Sequence, residues 1–161
     1  MARLKPVFLD TSILLGGTID VGSASRHAQA VLDAVASGRV RRPTTAWHCC
    51  LEYYAVATRL PEEFRLSPAD ALRLLEEEVL ARLEVVDLPG GARLSFLRSA
   101  AGQSVVGGRL YDAHIAEIAR DSDASIIVTD NVRHFRSLGS MGLRVLSAAE
   151  FVKESGGART D

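Results

Sequence analysis

The sequence predicts an α/β protein, a three-layer α/β/α sandwich around a mainly parallel central sheet. Two observations carry this expectation. Short, mostly apolar and β-branched runs alternate with stretches whose apolar residues recur at helical spacing, the pattern of parallel strands joined by crossover helices. Those runs are apolar nearly throughout rather than alternating, as in a sheet covered on both faces. At 161 residues the chain forms one domain large enough to bury a real core.

The elements follow in order. "VFL" (7–9) reads as the first strand, and a short helix begins around Ser12 or Ile13. Ala28, Val31, Leu32 and Val35 share one helix face, and Gly38 suits the helix exit. "RVR" (39–41) reads as the second strand. After Pro43, a helix starting at Thr44 or Thr45 carries Trp47, Cys50, Leu51, Tyr54 and Thr58 on one face. "SPAD" (67–70) starts a third helix with Leu72, Leu75 and Val79, and "LEVV" (83–86) is the next strand. "RLSFLRSA" (93–100) suggests a short helix and "AGQSVVGG" (101–108) a mobile loop. Ile115, Ile118, Ala119 and Ser122 mark a further helix, followed by strands "SIIV" (125–128) and "LRVL" (143–146). Ser147 and Glu150 form a capping box before a last helix from Ala148 to about Glu154. The domain is therefore expected over 1–154, with 155–161 as a flexible tail.

Composition narrows the function classes. A hydrophobic share of 47% and a charged share of 24% are ordinary for a soluble protein. No run approaches the ~20 apolar residues of a membrane span, and Asp10 cuts the N-terminal apolar run too short for a signal peptide. The expectation is a cytoplasmic protein with no membrane association. A net charge of −1 argues against a general polyanion-binding surface but leaves room for a local basic patch. The adjacent Cys49 and Cys50 read as buried, reduced and structural.

Ligands of parallel α/β sheets bind beyond the carboxyl ends of the strands. Asp10 and Asp130 each stand one step past an apolar strand. Alone, each reads as a helix cap. Glu52 sits in the nearly apolar "HCCLEYYAVA" (48–57), where a half-buried acid needs a partner. Asp112 opens a helix at the border of its buried face. If the four converge, pairs ~4 Å apart repel by about 4 kcal/mol at an effective dielectric near 20. Such a cluster takes up protons or binds a cation, and an oxygen-only donor set suits Mg²⁺ or Mn²⁺.

"VFLDTSILL", "PTTAWHCCLE", "LYDAHIAEIA" and "IIVTDNVRHF" together resemble the PIN domain, the small nuclease module that includes the VapC-type toxins. Their order, and acid separations of 42, 60 and 18 residues, fit that family over nearly the whole chain. The resemblance implies Mg²⁺- or Mn²⁺-dependent hydrolysis of RNA phosphodiesters, with Asp10, Glu52, Asp112 and Asp130 as metal-binding and catalytic acids. Ser12 and Thr129 match the small hydroxyl residues found beside such acids. It also implies an antitoxin protein as partner and a homodimer as assembly.

Arg41, Arg42, Arg109, Arg133, His134 and Arg136 flank the acids in sequence and are candidates for RNA phosphate contacts. Trp47, Tyr53 and Tyr54 are candidates for stacking a base, although core packing or a dimer face explains them as well. His27, His48 and His114 lack metal-ligand spacing and receive no role. A non-catalytic PIN-like binding module is the alternative. A receiver-like domain would need a lysine at a later strand end, and a dehalogenase-type phosphatase an Asp-x-Asp where Asp10-Thr11-Ser12 stands.

Overall fold

Five short strands form one parallel sheet: β1 (Val7–Leu9), β2 (Pro43–Ala46), β3 (Glu84–Val86), β4 (Ile126–Val128) and β5 (Arg144–Leu146), in the order β3-β2-β1-β4-β5. The structure is a computed structural model and describes residues 5–138 and 142–156. The helices are α1 (Thr11–Thr18), α2 (Arg26–Ala36), α3 (Trp47–Ala57), α4 (Pro68–Leu74), α5 (Gly90–Gly102), α6 (Arg109–Asp121), α7 (Val132–Ser137) and α8 (Ala148–Gly156). A π-helical turn, Leu75–Leu80, continues α4. Among the described residues, no helix is long and apolar enough to cross a membrane.

This order fixes where a ligand site forms. The chain winds outward from β1 to β3, then returns to β4 on the other side of β1. The direction of winding reverses between β1 and β4, the place where doubly wound sheets open a crevice. Leu9 pairs with Val128 in register, and the Asp10 amide donates to the Val128 carbonyl at 3.0 Å. The residues just past both strands are therefore neighbours. Phe8, Leu9, Ile127 and Val128 are fully buried and anchor this pair of strands in the core.

Helix α1, which follows Asp10, packs closely against α2. A Cβ on Gly17 would meet the Ala28 carbonyl at 3.1 Å and press into the Leu32 side chain. Glycine is the residue that allows such a backbone approach. The last helix is held by the expected capping box: Ser147 Oγ accepts from the Glu150 amide at 3.1 Å, and Glu150 Oε2 accepts from the Ser147 amide at 2.8 Å. Ser155 and Gly156 extend this helix, while 157–161 of the expected tail lie outside the described residues.

Five expectations need correction. The second strand is Pro43–Ala46, not 39–41. Gly38 turns left-handed (φ +71°) and the Arg39 and Val40 amides return to the Ala34 carbonyl, so 39–41 belongs to the exit of α2. Proline is tolerated at the first position of a strand, and buried Thr44 and Thr45 satisfy their hydroxyls on the Arg42 and Leu9 carbonyls. Helix α3 consequently starts at Trp47.

Its buried face is Cys49, Cys50, Tyr53 and Ala57, while Trp47, Leu51 and Tyr54 are exposed. A helix apolar on every side gives periodicity nothing to choose between. In α4 and its π extension the buried row is Ala71, Leu75 and Val79, with Leu72 outside. The expected loop at 101–108 is shorter, because α5 runs through Gly102.

Candidate active site

Asp10 occupies the N-cap position of α1, yet its carboxylate makes no capping bond. Its Oδ2 instead accepts hydrogen bonds from Thr129 Oγ1 at 2.7 Å and Ser12 Oγ at 3.1 Å. Thr129 is fully buried and Asp10 only 5% exposed. Burial pushes the Asp10 carboxyl up to about 6, against the pull of these hydroxyl donors, and the charge of Glu52 adds to the rise. Among the described residues no lysine or arginine pairs with Asp10. A buried carboxylate held by two neutral hydroxyls is an uncompensated charge, and proteins keep such groups where they bind something.

Glu52 reaches the same place from the neighbouring strand. It lies on α3, which follows β2, and β2 pairs with β1. Thr11 Oγ1 donates to Glu52 Oε2 at 2.5 Å across the gap between α1 and α3. Glu52 is half-buried with a partner, as its apolar surroundings required. Sequence reasoning does not single out Thr11; its position between Asp10 and Ser12 is the signal available.

Asp130 and Asp112 form the outer part. The Asp130 amide donates to Ser12 Oγ at 3.0 Å, and the Asn131 amide to Thr129 Oγ1 at 3.0 Å. The two hydroxyls that hold Asp10 thus also fix the loop after β4. Partial desolvation raises the Asp130 carboxyl above the ordinary aspartate range, while His27 pulls it back. Asp112, near the start of α6, meets His134 of α7, with Nδ1 to Oδ2 at 3.2 Å. The same Nδ1 lies 3.1 Å from Asn131 Nδ2. Protonated, Nδ1 donates to Asp112; bare, it accepts from the Asn131 amide, so the two bonds alternate.

Hydrogen bonds thus run from the Asp10–Ser12 segment to Glu52 through Thr11 and to the Asp130 loop through Ser12 and Thr129, while Asp112 meets that loop through His134, whose Nδ1 bonds either Asp112 or Asn131. The carboxylates themselves do not close on one point. Among the described residues, no three His, Cys, Asp or Glu side chains stand close enough to enclose an ion. The donor set is all oxygen, and the unpaired charge of Asp10 favours a cation. Both features fit a hard ion that takes only one or two carboxylates and keeps its waters, as Mg²⁺ does.

The basic candidates separate clearly. Arg109 and Arg133 line a cavity of about 390 Å³ with Asp112 and His134. Arg41 and Arg42 precede β2, which runs parallel to β1, so they lie at the opposite edge of the sheet from the acids. Arg42 there meets Glu84 at 3.3 Å. Arg136 donates to the Val145 carbonyl at 3.2 Å and lies 3.5 Å from Glu150. Cys49 and Cys50 are buried free thiols, and burial pushes Cys49 up to about 12. His48 and His114, 66 residues apart, meet at Nδ1–Nδ1 2.7 Å, a pairing that local spacing cannot reveal.

The sequence model of the PIN domain family matches residues 6–133. The chain belongs to the PIN domain family. The matched span of this PIN domain contains all four acids, while β5 and α8 lie beyond it. It is 32% identical over 144 residues to Ribonuclease VapC27 of Mycobacterium tuberculosis, covering 89% of this chain and 98% of that protein. Its fold matches the crystal structure of PAE2754 from Pyrobaculum aerophilum (TM-score 0.63, 18% identity, 96% of this chain and 98% of that one). It also matches DNA-bound VapBC from Salmonella typhimurium (TM-score 0.59, 24% identity, 91% and 99%). VapBC2 from Rickettsia felis, bound to a DNA fragment from its promoter, matches with TM-score 0.60 at 17% identity over 88% and 98%.

Proposed function

We propose that this PIN domain is a Mg²⁺- or Mn²⁺-dependent endoribonuclease and the toxin of a toxin–antitoxin pair. The observation that carries the reading is Asp10: a buried carboxylate at the reversal point of the sheet, raised to about 6 and without a cationic partner among the described residues. The kinship with a protein named as a ribonuclease supports the reaction class. The VapBC assemblies among its structural neighbours support an antitoxin partner. A homodimer and a cytoplasmic location complete the proposal.

Asp10, Glu52, Asp112 and Asp130 would surround the ion, one or two of them holding it directly and the others through its waters. When bound, a divalent cation supplies Lewis-acid polarisation of the scissile phosphodiester. The chain's own residues do the rest. Thr129 and Ser12 fix Asp10 in one orientation, and Thr11 does the same for Glu52. Asp130, more exposed and raised by desolvation, takes a proton from the attacking water as general base. Arg109 and Arg133, beside Asp112, bind the flanking phosphates.

One observation favours a non-catalytic binding module instead: the absence, among the described residues, of three acids close enough to enclose an ion. Labelled single-stranded RNAs incubated with Mg²⁺ or Mn²⁺, and then with EDTA, separate the two readings. The nuclease reading expects cuts that EDTA abolishes and that Asp10→Ala and Asp112→Asn do not make. Wild-type-like cutting by either variant would overturn it.

A further inference from the structure

A groove of about 410 Å³ lies where α3 meets α6, and apart from Glu52 none of its residues takes part in the proposed chemistry. Trp47, His48, Leu51, Tyr111 and His114 line it, together with Glu52. Trp47 is 46% exposed and Tyr111 58% exposed, a large amount of aromatic surface for water to cover. The volume falls within the range of small-molecule sites. Glu52 belongs both to this groove and, through Thr11, to the acid network. Tyr111 immediately precedes Asp112 on α6.

We propose that this groove is a nucleobase subsite, taking one unpaired base of the RNA next to the scissile phosphate. The inference rests on the ribonuclease reading and names a substrate contact within it. Three features select a base over other occupants. The first is the aromatic lining: Trp47 and Tyr111 offer the flat faces on which bases of any identity stack.

The second is the floor of the groove. His48 and His114 share one hydrogen bond through their Nδ1 atoms, so one ring donates and the other accepts. With both rings neutral they carry opposite tautomers, so one outer Nε2 is an acceptor and the other an N–H donor. The Nδ1–Nδ1 contact turns the two Nε2 atoms away from each other, so either one alone offers a base edge a single hydrogen bond. His48 is further held edge-on to Tyr111 with ring centroids 5.5 Å apart, and His114 lies against Phe96 at 5.2 Å.

The third is charge. Among the described residues no lysine or arginine lines the groove; its charged members are Glu52 and Asp87, and Arg93 lies 3.8 Å from Asp87. A phosphate is therefore unwelcome there. Arg109 and Arg133 line the separate cavity that Asp112 and His134 share. The acids thus stand between a cationic rim suited to phosphates and an aromatic groove suited to a base. A single strand crossing the acids would present its backbone to one side and a base to the other.

Trp47 is the only tryptophan of the chain, so its emission reports on the groove. The test uses the full chain with Asp10→Asn in Mg²⁺, titrated with 5′-labelled single-stranded RNAs, with the same strands made abasic, and with duplex RNA. Label anisotropy reports binding, and Trp47 emission reports groove occupancy. The expected result is saturable quenching by single strands, at least about tenfold weaker for abasic or duplex RNA, with Tyr111→Ala weakening binding by about tenfold. Trp47→Phe should keep the affinity that Trp47→Ala loses, and in the enzyme able to cut, Tyr111→Ala should raise KM more than it lowers kcat. The melting temperature of each variant separates these losses from misfolding.

RNA that binds by anisotropy without disturbing Trp47 overturns the subsite; if the wild-type chain still cuts it, the nuclease reading survives. Quenching by single strands that the wild-type chain never cuts sustains the subsite and sinks the nuclease. Emission that instead follows protein concentration together with a doubled mass makes the groove an interface between copies. A response to an arginine-rich peptide alone makes it a protein-docking site. Either result ends the proposal, as does an absence of RNA binding.

Discussion

The inner and outer halves of the acid site are built on different physical terms. Asp10 is almost wholly buried, locked by two hydroxyls and short of a counter-charge. Asp112 keeps 26% of its side chain exposed and leans on a histidine that has a second partner available. The inner acid is positioned by the strands and is destabilised by desolvation. The outer acid is positioned by the mutual packing of α6 and α7 and stays close to water. A rigid, electrostatically costly anchor beside an adaptable rim suits the proposed function, in which the site would grip an ion and still admit a polymer.

The sharpest way to break this contrast is to neutralise one acid of each kind. Asp10→Asn and Asp112→Asn should each lower RNA cleavage by at least about 10²-fold, but their stabilities should diverge. In Asp10→Asn the amide oxygen would still accept the Thr129 and Ser12 hydroxyls, while the buried charge is gone. A rise from 3.8 to about 6 corresponds to a cost on the order of 3 kcal/mol when the group is ionised, so Asp10→Asn should melt several degrees higher at pH 7.5 in EDTA. Asp112→Asn should stay within about 1 kcal/mol of wild type. Equal shifts for the two variants would erase the distinction.

The pH dependence sharpens it. Asp10 takes up its proton near 3.8 in the unfolded chain and near 6 in the folded one, so the folded state binds it more tightly. The stability contributed is full below about 4 and is lost as pH rises through 6. Urea unfolding in EDTA at pH 5 and 7.5 should show the gap between Asp10→Asn and wild type widening at the higher pH. A gap that stays constant contradicts the raised carboxyl.

Thr129→Val comes next in size. It removes the 2.7 Å donor to Asp10 and the acceptor for the Asn131 amide, costing about 1–3 kcal/mol. It should also move the acid limb of the cleavage profile to higher pH, since a hydroxyl that favours the carboxylate is gone. A profile that loses height without moving would make Thr129 a packing residue only. His134→Ala is the smallest: a few-fold loss of cleavage, with stability within about 0.5 kcal/mol, because the pair is exposed.

Much of this frame was legible in the chain itself. The apolar run ending in Asp10, and its echo at Asp130, marked two strand ends, and the reversal of winding between β1 and β4 makes those ends adjacent. The second strand was hidden because "PTTA" is short, polar and begins with proline; its threonines are buried only because the Arg42 and Leu9 carbonyls receive them. The exposed face of α3 was hidden for the opposite reason, an excess of apolar residues. Thr11 and the His48–His114 pair act through partners distant in sequence, whereas the bonds of Asn131 are local and ordinary in composition. Arg41 and Arg42 show the converse limit: near a site residue in sequence, they end up across the sheet from it.

Manganese binding followed by calorimetry, on the wild-type chain and on Asp10→Asn and Asp112→Asn, tests the account most directly, because it asks whether anchor and rim serve one ion. Both variants should bind Mn²⁺ at least about tenfold more weakly than wild type, in step with their loss of RNA cleavage. Unchanged Mn²⁺ affinity in both, or cleavage that persists in EDTA, would contradict it.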